Sequence, residues 1–135
     1  VVRLNEVRIA LIGFGNVGQG LANVLIKKRE SLKQNDINIK VVGVADSKGV
    51  MFDENGIELE EALRLKKTKG TVAHNGMDVF DMIDQMGEGE IVVDMTPTNI
   101  ETGEPGMGIM RVALDRGMHV VTSNKGPLAL NFQKL

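Results

Sequence analysis

Three glycines in the run Gly13-Phe14-Gly15-Asn16-Val17-Gly18 stand between a strand-like apolar segment and the first residues of a helical stripe. Flanked in that way, the G-x-G-x-x-G spacing has a physical meaning that the same letters in a loop lack. Gly13 permits a tight turn, Gly15 lets phosphate oxygens approach the backbone, and Gly18 lets helix and strand pack closely. The helix N-terminus adds free N–H groups and a partial positive charge, which suit a pyrophosphate. Residues 13–18, with Phe14, Asn16 and Val17 between the glycines, are therefore expected to cradle a dinucleotide. The bland alternative is a glycine turn without a ligand.

In an open parallel sheet, ligands bind outside the carboxyl ends of the strands, and three more polar segments fall at such ends. Asp46, 28 residues past Gly18, stands where an acid bonds the ribose 2′-hydroxyl. The usual interval is about 20 residues, so the first helix and its connection must be longer here. Ser47 and Lys48 beside it suit a 2′-phosphate instead, since a charge pair near a surface is worth about 1–4 kcal/mol. The cofactor is accordingly read as NAD(P), with the choice left open. Thr96-Pro97-Thr98-Asn99 follows a third strand and can line the nicotinamide ribose and ring, or merely cap a helix. Ser123-Asn124-Lys125 follows a fourth strand and brings a cation to the same edge, or leaves it solvated.

The elements that must hold these residues follow from periodicity. Val7–Ile12 reads as a strand, and Val17, Leu21, Val24, Leu25 and Leu32 form a helical stripe ending near Asn35 and Asp36. Ile39–Ala45 is a second strand, nearly continuous in apolar residues, as a strand covered on both faces should be. Ser47–Gly56 reads as a loop, punctuated by Gly49, Asp53, Asn55 and Gly56. Leu59, Ala62, Leu63 and Lys66 mark a short helix stopping before Gly70. Asp78 is placed to cap another, with Val79, Met82, Ile83 and Met86 on one face and Gly87 as the exit. Ile91–Met95 is the third strand. Pro105 opens a helix with Met107, Met110, Ala113 and Leu114 inward, and Gly117 closes it. Met118–Thr122 is the fourth strand, and residues 126–135 begin a further helix.

Strands alternating with helices predict an α/β fold of Rossmann type: a doubly wound, mostly parallel sheet with helices on both faces. Residues 1–135 are expected to form one such domain. The stretch Ser47–Glu90 offers helices but no strand. The last helix has barely begun at Leu135, so the chain reads as a fragment.

Composition excludes several other classes. With 42% hydrophobic and 25% charged residues, the chain can bury a core without disulfides or metals. A net charge of −2 with scattered lysines and arginines lacks the basic stripe of a nucleic-acid binder. There is no cysteine, so thiol chemistry is excluded and a reducing cytoplasm is compatible. No apolar run approaches the ~18 residues of a membrane span, and the N-terminus does not read as a signal peptide. Two isolated histidines, His74 and His119, do not make a metal site. The eight methionines read as core filler, and Glu101 and Glu104 as loop acids.

Four segments then carry a more specific likeness. The runs beginning at Gly13 (GFGNVGQGLANVL), Val41 (VVGVADSKG), Val92 (VVDMTPTNIETGEPG) and Ala113 (ALDRGMHVVTSNKGPLAL) resemble the N-terminal cofactor domain of homoserine dehydrogenase. They occur in that family's order and together make up about two-fifths of the chain, with Val50–Glu90 least represented. The resemblance implies NAD(P)-dependent interconversion of L-aspartate 4-semialdehyde and L-homoserine in a full-length homo-oligomer. It also implies that Lys125 is the active-site lysine beside substrate and nicotinamide. A free lysine, with a pKa of about 10.4, would stay charged and polarise the aldehyde oxygen. If burial and the oxidised nicotinamide lower that value, it can also transfer the proton. The family's homoserine-binding region would follow Leu135, so the 135-residue chain is expected to bind cofactor but turn over homoserine negligibly. Two rivals are another amino-acid dehydrogenase, such as an aspartate dehydrogenase, and a non-catalytic nucleotide-binding module. The T-x-N-K-G-P-L-A segment at Thr122–Ala129 argues against the first.

Overall fold

A computed structural model of the chain describes residues 5–74, 76–97 and 104–123. The strands are β1 (Asn5–Ile12), β2 (Ile37–Asp46), β3 (Gly49–Phe52), β4 (Ile91–Asp94) and β5 (His119–Thr122). The helices are α1 (Asn16–Gln34), α2 (Leu59–Lys69), α3 (Val79–Gln85) and α4 (Gly106–Asp115). The sheet runs β3-β2-β1-β4-β5. All neighbours pair in parallel except β2 and β3. The chain moves outward from β1 to β2, then returns to β4 on the other side of β1. This reversal puts a crevice at the carboxyl ends of β1 and β4.

Each central strand feeds two cores, because successive side chains point to opposite faces. Ile9, Leu11, Val41 and Val44 pack with Phe14, Ala22, Leu59 and Ala62 beneath α1 and α2. Ala10, Ile12, Val42 and Val92 pack with Met82, Ile83, Ile109 and Ala113 beneath α3 and α4. A register shift sets Ile9 opposite Val41 but Ala10 opposite Gly43. This bulge turns Val42 and Gly43 to the same face, where Met82 Sδ occupies the space a Cβ on Gly43 would need. Five of the methionines (Met82, Met86, Met107, Met110 and Met118) are buried, as core filler should be.

Several expectations are met in detail. Asp78 caps α3 in a reciprocal box, accepting from the Asp81 N–H at 2.8 Å while the Asp81 carboxylate accepts from the Asp78 N–H. Gly70 ends α2 in the left-handed region at φ +74. Other expectations need correcting. Ser47–Gly56 is not wholly loop: Gly49–Phe52 forms an antiparallel edge strand on β2, with only Ser47 and Lys48 between the paired residues Asp46 and Gly49. Val17, Val24 and Leu114 are exposed rather than inward. The buried stripe of α1 is instead set by Gly18 and Ala22, with Leu21, Leu25 and Ile26 partly covered. Among the described residues no helix is long and apolar enough to cross a membrane.

Candidate functional site

The glycine turn sits at the crevice and is tied to three strands. The Gly13 N–H donates to the Ala45 carbonyl at 2.9 Å, and the Met95 N–H to the Ile12 carbonyl at 2.7 Å. The exits of β1, β2 and β4 are thereby held together. Gly13 has φ +96, and a Cβ there would lie 2.6 Å from the Met95 carbonyl carbon and 2.9 Å from the Thr96 nitrogen. Only glycine meets both demands. A Cβ on Gly18 would strike the Gly13 carbonyl, so the first turn of α1 closes directly onto the loop.

Gly15 differs from both. It occupies the N-cap position of α1 in extended geometry, and a Cβ there would meet nothing within 4 Å. No side chain caps the helix and its first turn holds no acid. Among the described residues, no acceptor meets the amides of Asn16, Val17 and Gly18. Open space beside uncommitted amides at a helix N-terminus has the form of an anion cradle. Asn16 and Val17 are exposed there, whereas Phe14 sends its ring into the α1 and α2 core and keeps only its backbone at the turn. The Phe14 carbonyl is held by Gln19 Nε2 at 3.0 Å.

At the end of β2 the expectation for Asp46 requires correction. Its side chain is 2% exposed and accepts from five protein donors. Oδ1 receives the Lys48 and Gly49 N–H groups at 2.9 and 3.1 Å and the Thr71 hydroxyl at 3.0 Å. Oδ2 receives the Val72 N–H at 2.7 Å and Lys66 Nζ at 3.2 Å. A carboxylate has about four lone-pair sites, so Asp46 has none left for a ribose. It acts instead as a clamp joining the β2–β3 hairpin to the end of α2. Ser47 and Lys48 remain exposed at the hairpin tip and line a small cavity of about 270 Å³ with Ala73 and Met77.

The clamp makes stability depend on pH. Burial pushes the Asp46 carboxyl up, but bonds from Val72, Lys48, Thr71 and Lys66 outweigh it and hold the group below its ordinary value. A depressed folded pKa gives stability that is full above the unfolded value of about 3.9 and is lost as pH falls through the folded value. Asp46→Asn should therefore cost about 1–3 kcal/mol at pH 7, because donors would face an amide N–H₂. Urea unfolding should show the gap between wild type and variant closing below pH ~3. A gap of equal size at both pH values would rule out the charged clamp.

At the carboxyl ends of β4 and β5, Thr96 is half-buried and Pro97 and Ser123 are exposed. The Ser123 N–H donates to the Asp94 carbonyl at 3.1 Å. The structure thus brings the glycine turn, Thr96, Pro97 and Ser123 to one edge. Thr98, Asn99, Asn124 and Lys125 lie outside the described residues. Sequence reasoning missed Lys66 and Thr71, which hold Asp46. It also missed Asp94, whose only signal was a lone acid closing the apolar run Ile91–Val93.

Comparison with known proteins shows the family. The family model described as Glutamate/Leucine/Phenylalanine/Valine dehydrogenase matches residues 2–100. Homoserine dehydrogenase of Methanocaldococcus jannaschii is 38% identical over 132 residues, which is 94% of this chain and 39% of that protein. The NAD(+)-dependent homoserine dehydrogenase of Pseudomonas canavaninivorans is 33% identical, over 98% of this chain and 39% of that protein. A hyperthermophilic archaeal homoserine dehydrogenase solved in complex with NADPH superposes with a TM-score of 0.74 at 26% identity, covering 96% of this chain and 39% of that one. The chain spans about 39% of the length of the curated relatives it matches. The family model stops at residue 100, whereas the homoserine dehydrogenases align along nearly the whole chain, including β5. The chain therefore belongs to the Glutamate/Leucine/Phenylalanine/Valine dehydrogenase family and, along nearly its full length, is similar to a part of the homoserine dehydrogenases.

Proposed function

We propose that this domain binds NAD(P) along the carboxyl edge of the sheet and presents it for interconversion of L-homoserine and L-aspartate 4-semialdehyde. The substrate-binding region would be supplied by a longer protein. The observation carrying this reading is the open N-cap at Gly15, beside uncommitted amides, in a turn whose Gly13 packs against Met95 and Thr96 just past β4. The amides of residues 15–18 would take the pyrophosphate, and Thr96–Asn99 with Ser123 and Asn124 would take the nicotinamide end. When bound, the nicotinamide supplies or accepts the hydride. Lys125 polarises the carbonyl oxygen of the semialdehyde, and whether it also moves the proton is separable by substitution.

The engagement of Asp46 favours the phosphorylated cofactor. With its charge turned inward onto Lys66, the exposed groups at the hairpin are Ser47 and Lys48. A hydroxyl and an ammonium suit a 2′-phosphate better than a 2′-hydroxyl. Calorimetric titration of the chain should therefore give tighter binding of NADPH than of NADH. Lys48→Ala should shrink that preference by about fivefold, matching the loss of roughly 1 kcal/mol from one surface charge pair. Absence of binding by either cofactor would sink the proposed function. An unaltered ratio in Lys48→Ala would remove only Lys48 from the site.

A further inference from the structure

Asp94 is the one charged side chain fully buried among the described residues, with 0% exposure. It stands at the last position of β4, between the β1 exit and β5. Oδ1 accepts the Thr96 N–H at 2.9 Å and the Thr96 hydroxyl at 2.6 Å. Oδ2 meets the Thr122 hydroxyl at 3.5 Å, and the Asp94 carbonyl holds the Ser123 N–H. No lysine or arginine among the described residues pairs with it. Burying a carboxylate without a cation is costly, and strand pairing does not need it, since Val92 and Val93 pair without one. What the carboxylate adds is a fixed arrangement of two chain segments as they leave the sheet.

Those segments lie on one side of the crevice. Thr96 begins the stretch assigned to the nicotinamide end, and its nitrogen borders Gly13. Thr122 begins the stretch that leads to Lys125. The amides at Gly15–Gly18 donate no bond to Asp94. We propose that Asp94 is a positioning residue for the nicotinamide half of the dinucleotide, setting Thr96 and the β5 exit while leaving the phosphate cradle alone. The inference rests on the cofactor reading above.

The test separates the two halves of the ligand. ADP-ribose (2′-phosphorylated if NADP is preferred) carries the adenosine and pyrophosphate but no nicotinamide. Calorimetry on the 135-residue chain should show Asp94→Ala binding ADP-ribose within about twofold of wild type while losing about tenfold in affinity for NAD(P)H. Asp94→Asn keeps an acceptor oxygen for Thr96 and should restore most of the lost affinity. Asp94→Leu, closer in volume and apolar, covers the case in which alanine unfolds the chain, and must show the same selectivity. Equal weakening for both ligands, or none for either, overturns the proposal. Failure of wild type to bind even ADP-ribose would instead bring down the cofactor reading itself.

Discussion

Gly15→Val is expected to remove dinucleotide binding and leave the fold intact, whereas Gly13→Ala should damage the fold first. The two glycines lie two residues apart, so sequence proximity gives no reason for the difference. At Gly15 the backbone is already extended, with φ −83, and an added Cβ meets open space. A valine there costs the apo protein little but fills the space through which phosphate oxygens reach the helix amides. Charge-assisted bonds to a phosphate are among the stronger ones, and losing several should weaken binding by about 100-fold or more, roughly 2.7 kcal/mol. At Gly13 an alanine must accept φ +96 and a Cβ 2.6 Å from the Met95 backbone. Backbone strain of about 1–3 kcal/mol adds to overpacking of about 1–3 kcal/mol. For a chain of this size the sum should lower Tm by on the order of 10 °C. Thermal melts paired with titrations of NADPH decide the matter. A Gly15→Val chain that melts early, or that still binds at wild-type affinity, would contradict the division of labour.

The turn is legible in the sequence because its signal is local. Three glycines, a strand before and a helix after are all written within the 30 residues from Asn5 to Gln34. The strands β1, β2, β4 and β5 were legible for a related reason: runs such as Val92 and Val93, covered on both faces, leave an apolar record that polar edges interrupt. The strand β3 left no such record. Its four residues follow directly on Asp46-Ser47-Lys48, and Gly49 together with Asp53 and Asn55 reads as turn chemistry. What makes it a strand is pairing with β2, and only the assembled sheet supplies that. Asp46 shows the same limit at the site. Its position at the end of β2 follows from the apolar run before it. Yet the side chain is claimed by Lys66, Thr71 and Val72, 20 to 26 residues away. Donors that arrive from another element cannot be seen in spacing. Asp94 escaped for the converse reason, since a strand-ending acid looks solvated until its burial is known.

Lys125→Ala, made in a protein that carries this domain together with its substrate region, is expected to lower kcat by about 10²–10⁴-fold. Affinity for NAD(P)H should change by less than about threefold. The asymmetry follows from where charge develops. As hydride reaches the aldehyde carbon, its oxygen becomes an alkoxide, so a cation beside it acts more strongly on the transition state than on the bound substrate. Lys125 lies three residues past the end of β5, the strand whose exit Asp94 is proposed to fix. Its effect and that of Asp94 should therefore appear in different observables, kcat for one and nicotinamide-selective binding for the other. The two roles open to the ammonium are then separated by Lys125→Arg. A guanidinium keeps the charge but does not give up its proton in proteins. Substantial activity in the arginine variant, with the pH–rate profile unchanged, assigns polarisation alone. Activity as low as that of alanine, with loss of one limb of the profile, assigns proton transfer as well. Wild-type kcat in the alanine variant would exclude Lys125 from the reaction, and with it the catalytic role that the T-x-N-K-G-P-L-A segment implies.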